Sequence, residues 1–128
     1  MIKIKKCILL VEDDPFLSDI YSTKLENAGF DLDVAYDGED VFKKINERCP
    51  ELILLDIVLP KMDGFEVLKK LKSDSKFQKI PVILLTNLGQ KEDINKGLEL
   101  GAEDYLIKAN FIPSEIVDKI KSFLKIDD

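Results

Sequence analysis

Glu12, Asp13, Asp56, Thr86 and Lys108 are the residues of this 128-residue chain whose types and placement could do chemistry together. Each stands at the end of a strand-like segment: the apolar runs Cys7-Ile8-Leu9-Leu10-Val11, Leu52 to Leu55 and Ile80 to Leu85 end on Glu12-Asp13-Asp14, Asp56 and Thr86, and a last strand, Glu103 to Ile107, ends on Lys108. A buried run does not end on a carboxylate by solvation alone, because drawing the charge toward a low-dielectric core costs on the order of several kcal/mol unless a cation or donors meet it. Three carboxylates within reach of one another repel, and without a counter-ion at least one takes up a proton near neutral pH. A divalent cation resolves this. Mg²⁺ accepts carboxylate and carbonyl oxygens and keeps waters at its other positions, which suits a site that also holds a phosphoryl group. Lys108 adds a point charge and Thr86 a hydroxyl donor. Asp56, in the middle of the set, could act as a nucleophile forming an aspartyl phosphate, with metal and lysine neutralising the transferred charge.

Taken singly, each residue has an ordinary explanation. Acids after a strand are commonly a solvated loop or a helix cap, and Asp14 is read as a cap. Thr86 alone is a loop hydroxyl, Lys108 alone a surface lysine, and Tyr105 alone an edge-strand residue. Only their joint placement at successive strand ends carries the functional reading.

The elements that must position them follow from the pattern. The Leu52–Leu55 run and the Cys7–Val11 run are continuous and apolar, as expected of strands buried on both faces. Pro15 opens a helix with Asp14 as N-cap; Leu17, Ile20, Tyr21, Leu25 and Ala28 recur at helical spacing until Gly29 stops it. Phe30-Asp31-Leu32-Asp33-Val34 alternates, so this strand is placed at a sheet edge. Asp37-Gly38 is a turn, and Glu39 to Arg48 a helix burying Val41, Phe42 and Ile45. Lys61 to Gly64 is a turn, after which Phe65, Leu68 and Leu71 mark a third helix. Pro81 falls near the start of the next strand, where a missing donor is tolerable. From Gly89 to Leu100 a poor helix is expected, with Gly97 inside it at a cost of about 1 kcal/mol relative to Ala. A last strand, Glu103 to Ile107, precedes an amphipathic helix from Ser114 with Ile116, Val117, Ile120, Phe123 and Leu124 on one face.

Strands alternating with helices at these lengths imply an α/β domain, a (βα)5 chain with a doubly wound, five-stranded parallel sheet. The flavodoxin-like order 2-1-3-4-5 puts the half-polar second strand at an edge and gathers the strand ends into one pocket.

Composition prunes the alternatives. The length fits a single domain, 1–128, and the 45% apolar fraction a folded one. Nineteen basic residues against 25 acidic leave a net charge of −6, with Arg48 the sole arginine. Neither nucleic acid nor an anionic membrane is therefore expected as a partner. The absence of histidine removes the commonest general base and metal ligand. Cys7 and Cys49 are read as reduced thiols filling structure in a cytoplasmic protein. The amino-terminal Met1 to Lys6 carries lysines but no cleavage site, and is neither signal peptide nor membrane span.

These motifs together, Ile8-Leu9-Leu10-Val11-Glu12-Asp13-Asp14, Leu54-Leu55-Asp56 with Pro60 and Met62-Asp63-Gly64, Pro81 to Thr86, and Asp104-Tyr105-Leu106-Ile107-Lys108, resemble those of response-regulator receiver domains over essentially the whole chain. The resemblance implies that Asp56 is the phosphoacceptor, Asp13 the principal Mg²⁺ ligand, and Glu12 an acid acting on the metal through water. It implies that the Val58 backbone carbonyl completes the metal site. Thr86 matches the switch hydroxyl, Tyr105 the aromatic that turns inward behind it, and Lys108 the lysine that pairs with the phosphoryl group. The marginal helix before Leu100 is the natural bistable element beside them.

Two departures stand out. The family usually has proline after the lysine, often in a cis bond, whereas this chain has Ala109; a non-proline cis bond costs about 3 kcal/mol, so either the bond is trans and the loop differs or the strain is retained. The residue after the switch threonine is usually small, whereas here it is Asn87. With Val58 and Leu88 also flanking the site, a long-lived phosphoryl form is expected.

The first reading is thus a stand-alone receiver of a two-component or phosphorelay system, not an enzyme beyond its own phosphorylation and dephosphorylation. A sensor histidine kinase or phosphotransfer protein would supply the phosphoryl group, and an output protein would read the changed surface. The second is a phosphorylation-independent pseudo-receiver acting as an interaction module. A haloacid-dehalogenase-type phosphohydrolase would want a second acid two residues after the nucleophile, where Val58 stands. An FMN carrier is disfavoured by the acids that follow the first strand in place of a phosphate-binding loop.

Overall fold

The computed structural model describes residues 5–126. Most of the lysine-bearing amino terminus, read above as neither signal peptide nor span, lies outside the described residues, as does the end at Asp128. Among the described residues no helix is long and apolar enough to cross a membrane.

Strands and helices alternate throughout: β1 (Cys7–Val11), α1 (Pro15–Asn27), β2 (Asp31–Ala35), α2 (Gly38–Glu47), β3 (Leu52–Leu55), α3 (Gly64–Ser73), β4 (Val82–Thr86), α4 (Lys91–Glu99), β5 (Asp104–Ile107) and α5 (Pro113–Leu124). All strand pairs are parallel, in the order β2-β1-β3-β4-β5. This is the flavodoxin-like arrangement that the alternation predicts.

The continuous apolar runs are explained by the two cores they serve. Because side chains alternate across a strand, Leu9, Val11, Ile53, Leu55, Val82 and Leu84 face α2 and α3, packing with Val41, Ile45, Val67, Leu68 and Leu71. Ile8, Leu10, Leu52, Leu54, Ile83 and Leu85 face the other way, toward Tyr21 and Leu25 of α1 and Ile116, Val117 and Ile120 of α5. The central strands β1, β3 and β4 are buried along their whole length, whereas only Ala35 of β2 is, as an edge position requires.

Helix starts follow local chemistry. Asp14 caps α1 by accepting from the amides of Phe16 and Leu17. Asp37 and Asp63 cap α2 and α3 by accepting from Asp40 and Glu66, so the Asp37-Gly38 turn is in fact the first step of α2. Helix α5 starts at Pro113, one residue earlier than Ser114, with Glu115 accepting from the Ile112 amide. Phe42 is half-buried, and Phe123, in the last turn of α5, is 38% exposed.

The backbone decides between the two alternatives at Ala109 and adds a reason for Gly97. No cis peptide bond occurs among the described residues; the Lys108–Ala109 bond is trans, and Lys108–Asn110 forms a short 3₁₀ turn closed by the Phe111 amide on the Lys108 carbonyl. Gly97 is not merely a weak point of α4. A Cβ there would stand 2.5 Å from Leu84 Cδ1 and 3.1 Å from Tyr105 Cδ2, so the missing side chain lets α4 lie close on β4 and β5. The helix nonetheless has Gln90 at its N-cap with no side-chain capping bond, and leaves Leu98 46% exposed.

Candidate functional site

Parallel strands end on the same edge of the sheet, and register decides which end residues become neighbours. Val11 pairs with Leu55, so the next residues, Glu12 and Asp56, emerge side by side; the Asp56 amide donates to the Val11 carbonyl. Thr86 pairs with Ile107, which brings Lys108 to the same edge. An open cleft of about 350 Å³ results, lined by Glu12, Asp13, Asp14, Leu17, Asp56, Val58, Thr86, Asn87 and Lys108. A larger open groove, about 860 Å³, runs along α2 and α3 past Phe42, Glu66 and Lys70 and holds none of the strand-end residues.

Lys108 is the electrostatic centre of the cleft. Its Nζ donates to Glu12 Oε1 at 2.5 Å and to Asp56 Oδ2 at 2.8 Å, with side-chain exposures of 9% for the lysine, 2% for Glu12 and 7% for Asp56. Burial alone would lower the lysine pKa, but the hydrogen bonds it donates to Asp56 and Glu12 outweigh it and hold the ammonium above its ordinary value. Burial pushes the Glu12 carboxyl up, opposed by Lys108 and by the Asp14 amide donating to Oε2. The other oxygen of Asp56 is fixed from behind: Oδ1 accepts from the amides of Ile57 at 2.7 Å and Val58 at 3.4 Å.

Asp13 is exposed, and one carboxylate oxygen from each of Glu12, Asp13 and Asp56 lies within 4.8 Å of the others. Three carboxylates against the single ammonium of Lys108 leave two negative charges, and the donors are all hard oxygens. A divalent, oxygen-seeking ion such as Mg²⁺ fits that set by charge and by chemistry.

Thr86 is fully buried, and its Oγ1 accepts from the Leu88 amide at 3.3 Å. Tyr105 does not line the cleft; its hydroxyl donates to the Leu88 carbonyl. Leu88 is therefore held on both sides of its backbone, by Thr86 through N–H and by Tyr105 through C=O. Burial, then the charges of Asp93 and Asp56, push the Tyr105 phenol up to about 12. Val58 and Asn87 flank the cleft as expected, but the Leu88 side chain turns away and packs against the core under α2 and α3.

Two residues without a polar side chain, which the sequence marks only as turn glycines, shape the site. A Cβ at Gly64 would stand 2.3 Å from the Asp56 carbonyl oxygen, and the Gly64 amide donates to the Ile57 carbonyl at 2.8 Å. A Cβ at Gly38 would stand 1.9 Å from the Met62 carbonyl oxygen. The signal was present in Asp63-Gly64 and Asp37-Gly38, each a capping aspartate followed by the residue that permits close backbone approach.

Fold and cleft together define a receiver domain, and the sequence agrees: residues 8–121 match the family described as response regulator receiver domain, to which this chain belongs. It is a receiver of the two-component response-regulator class. Over 121 residues it is 41% identical to the DNA-binding dual master transcriptional regulator RpaA of Synechocystis sp., covering 94% of this chain and 50% of that protein. Among solved structures it resembles the Mn²⁺-bound form of response regulator Rcp1, at 32% identity and a TM-score of 0.83 over 93% of this chain and 94% of the other. It also resembles the BeF3-activated DrrB receiver domain, at 31% identity and a TM-score of 0.84 over 95% and 99%. The chain spans about half the length of the curated relatives it matches.

Proposed function

We propose that this domain accepts a phosphoryl group on Asp56 from a phosphohistidine of a sensor kinase or phosphotransfer protein and passes the change to a protein-binding surface. An Asp56 carboxylate oxygen forms the new P–O bond as the P–N bond to the donor imidazole breaks; the imidazole nitrogen keeps the electron pair and takes a proton from solvent. The observation that carries this reading is the setting of Asp56. It is 5% exposed at the floor of an open cleft, with one oxygen held by backbone amides and the other on Lys108. Such fixed donors stabilise charge as it develops on the transferred group.

Glu12, Asp13, Asp56 and the Val58 carbonyl would hold Mg²⁺, with Glu12 acting through water. Bound there, the ion supplies neutralising charge for the phosphoryl oxygens. Lys108 pairs with the phosphoryl group. Thr86 gives up its acceptor role toward Leu88 to donate to a phosphoryl oxygen, and Tyr105, tied to the same Leu88 backbone, registers the change at β5 and α4. Asn87 and Val58, which line the cleft, restrict water, so the phosphoryl group is long-lived. The domain works in the cytoplasm, catalyses no reaction but its own phosphorylation and dephosphorylation, and acts through an output protein or segment yet to be identified.

Intact-protein mass after incubation with acetyl phosphate tests this, with Mg²⁺ or chelator, on the wild type and Asp56→Asn. A single phosphoryl adduct that needs both Mg²⁺ and Asp56 is expected. Its absence, together with absent Mg²⁺ binding, would favour the pseudo-receiver reading.

A further inference from the structure

The segment after Asp56 contains an unusual turn. Lys61 has φ +68°, and the Met62 amide donates to the Pro60 carbonyl at 2.8 Å. A hydrogen bond spanning one residue of positive φ is the classic γ-turn, which is rare and strained in a residue that is not glycine. Such backbone persists only where the surroundings over-determine it. The surroundings here are the amino-terminal end of α2. The Gly38 amide donates to the Pro60 carbonyl at 3.3 Å, and Lys61 Nζ lies 3.5 Å from Asp37 Oδ2. A Cβ on Gly38 would meet the Met62 carbonyl oxygen at 1.9 Å and the Met62 carbonyl carbon at 2.7 Å. Those are backbone atoms, so no rotamer change clears them. At the other end of the segment, the Gly64 amide on the Ile57 carbonyl closes it against the strand. The run that carries Asp56 and Val58 is pinned at two points, one of them on an element that contributes no group to the cleft.

We propose that Gly38 is a positioning residue for the metal site: the bare first position of α2 seats the strained Pro60–Met62 turn, and through it fixes the Asp56–Val58 backbone on which cation affinity depends. The inference rests on the metal-assisted function proposed above. By linkage the effect is reciprocal, so a cation held by the Asp56–Val58 segment tightens the contact at Gly38.

Titration calorimetry with Mg²⁺ on the wild type, Gly38→Ala and Gly29→Ala tests it. Gly29, between α1 and β2, has φ +99° and nothing within 4 Å of an added Cβ, so its substitution strains the fold without touching the segment. Gly38→Ala is expected to weaken Mg²⁺ binding by about ten- to a hundredfold, the range usual for groups that support metal ligands, while Gly29→Ala leaves it unchanged. Adding Met62→Gly should not restore binding, because the obstruction is the carbonyl. Equal Mg²⁺ affinity in Gly38→Ala and the wild type would overturn the proposal, as would an equal loss in Gly29→Ala. Should Gly38→Ala fail to fold, amide exchange in the wild type decides: Mg²⁺ slows the Gly38 amide if the two are coupled, and an unchanged rate sinks the inference. A wild type that binds no Mg²⁺ and takes no phosphoryl group would instead bring down the proposed function itself.

Discussion

On the β1–β3 side of the cleft, backbone packs directly on backbone: an added Cβ would stand 2.3 Å from the Asp56 carbonyl oxygen at Gly64 and 1.9 Å from that of Met62 at Gly38. On the β4–β5 side, the corresponding closeness at Gly97 involves the ends of side chains, Leu84 Cδ1 at 2.5 Å and two Tyr105 ring carbons at 3.1 and 3.3 Å. There the Leu88 backbone hangs from two hydroxyls, those of Thr86 and Tyr105. Backbone cannot give way without moving the chain, whereas a side chain yields at about 0.5–1.5 kcal/mol for an off-rotamer angle. Under the proposed function, groups that meet a reacting phosphorus would need fixed placement, and groups that signal would need two accessible arrangements. On that reading the two requirements fall on opposite walls, and Lys108, paired with Glu12 and Asp56, spans them.

Removing that span should give the largest effect. In Lys108→Ala, Glu12 and Asp56 remain buried without their cation, and breaking a buried pair in this way costs about 3–5 kcal/mol. Urea unfolding in chelator should show the loss. Mg²⁺ should then restore more stability to the variant than it adds to the wild type, because it replaces the missing positive charge. Equal gains from Mg²⁺ would mean that the ion does not enter the acid cluster.

The glycines test the contrast between walls directly. Gly64→Ala forces backbone apart and should cost about 3 kcal/mol or more, at the upper end of overpacking effects. Gly97→Ala pushes only on Leu84 and Tyr105 and gains about 1 kcal/mol of helix propensity, leaving a net loss of about 1–2 kcal/mol at most. Similar losses at both positions in chemical denaturation would erase the distinction.

How far the sequence anticipates this arrangement depends on the range of the forces involved. Strands β1, β3 and β4 are legible because burial on both faces writes itself as an unbroken apolar run, and Glu12, Asp56 and Thr86 because each ends such a run. Asp14 as a cap, and the edge position of β2 from its alternating aspartates, are likewise local signals. Gly97 was readable only as a helix weakness, since the reason for it lies in Leu84 and Tyr105 on two other strands. Gly38 and Gly64 were read as turn residues, because nothing local tells that a carbonyl from a distant loop occupies the place of their side chains. At Ala109 the missing proline is visible, but not the 3₁₀ turn Lys108–Asn110.

Tyr105→Phe probes the adjustable wall alone. Loss of the hydroxyl from the Leu88 carbonyl should cost about 0.5–1.5 kcal/mol near neutral pH, as for a typical hydrogen bond. The pH dependence is more diagnostic. The folded phenol is raised from its ordinary 10 to about 12, so below pH 10 it is protonated in both states and its contribution is intact. Between pH 10 and about 12 the unfolded chain ionises while the folded one does not, and the contribution is lost as pH rises. The stability advantage of wild type over Tyr105→Phe should shrink through that window; a constant difference would mean that the phenol is freely solvated.

Arg48→Ala should give the smallest effect and serves as the reference for the others. The guanidinium reaches Asp31 at 2.7 Å and both carboxylate oxygens of Asp33 at 3.1 Å, and its pKa is raised by its hydrogen bonding to Asp33 first and then to Asp31. With Arg48 42% and Asp31 49% exposed, the pairs are solvated, and exposed pairs contribute about 0–1 kcal/mol and weaken with salt. They hold the polar edge strand β2, away from the cleft, so the substitution should leave Mg²⁺ affinity and Asp56 phosphorylation as in the wild type. A change in either would show that strain at the sheet edge reaches β1, whose Leu9 and Cys7 pair with Asp33 and Asp31, and would make the rigid wall of the cleft a property of the whole sheet rather than of the two glycines that brace it.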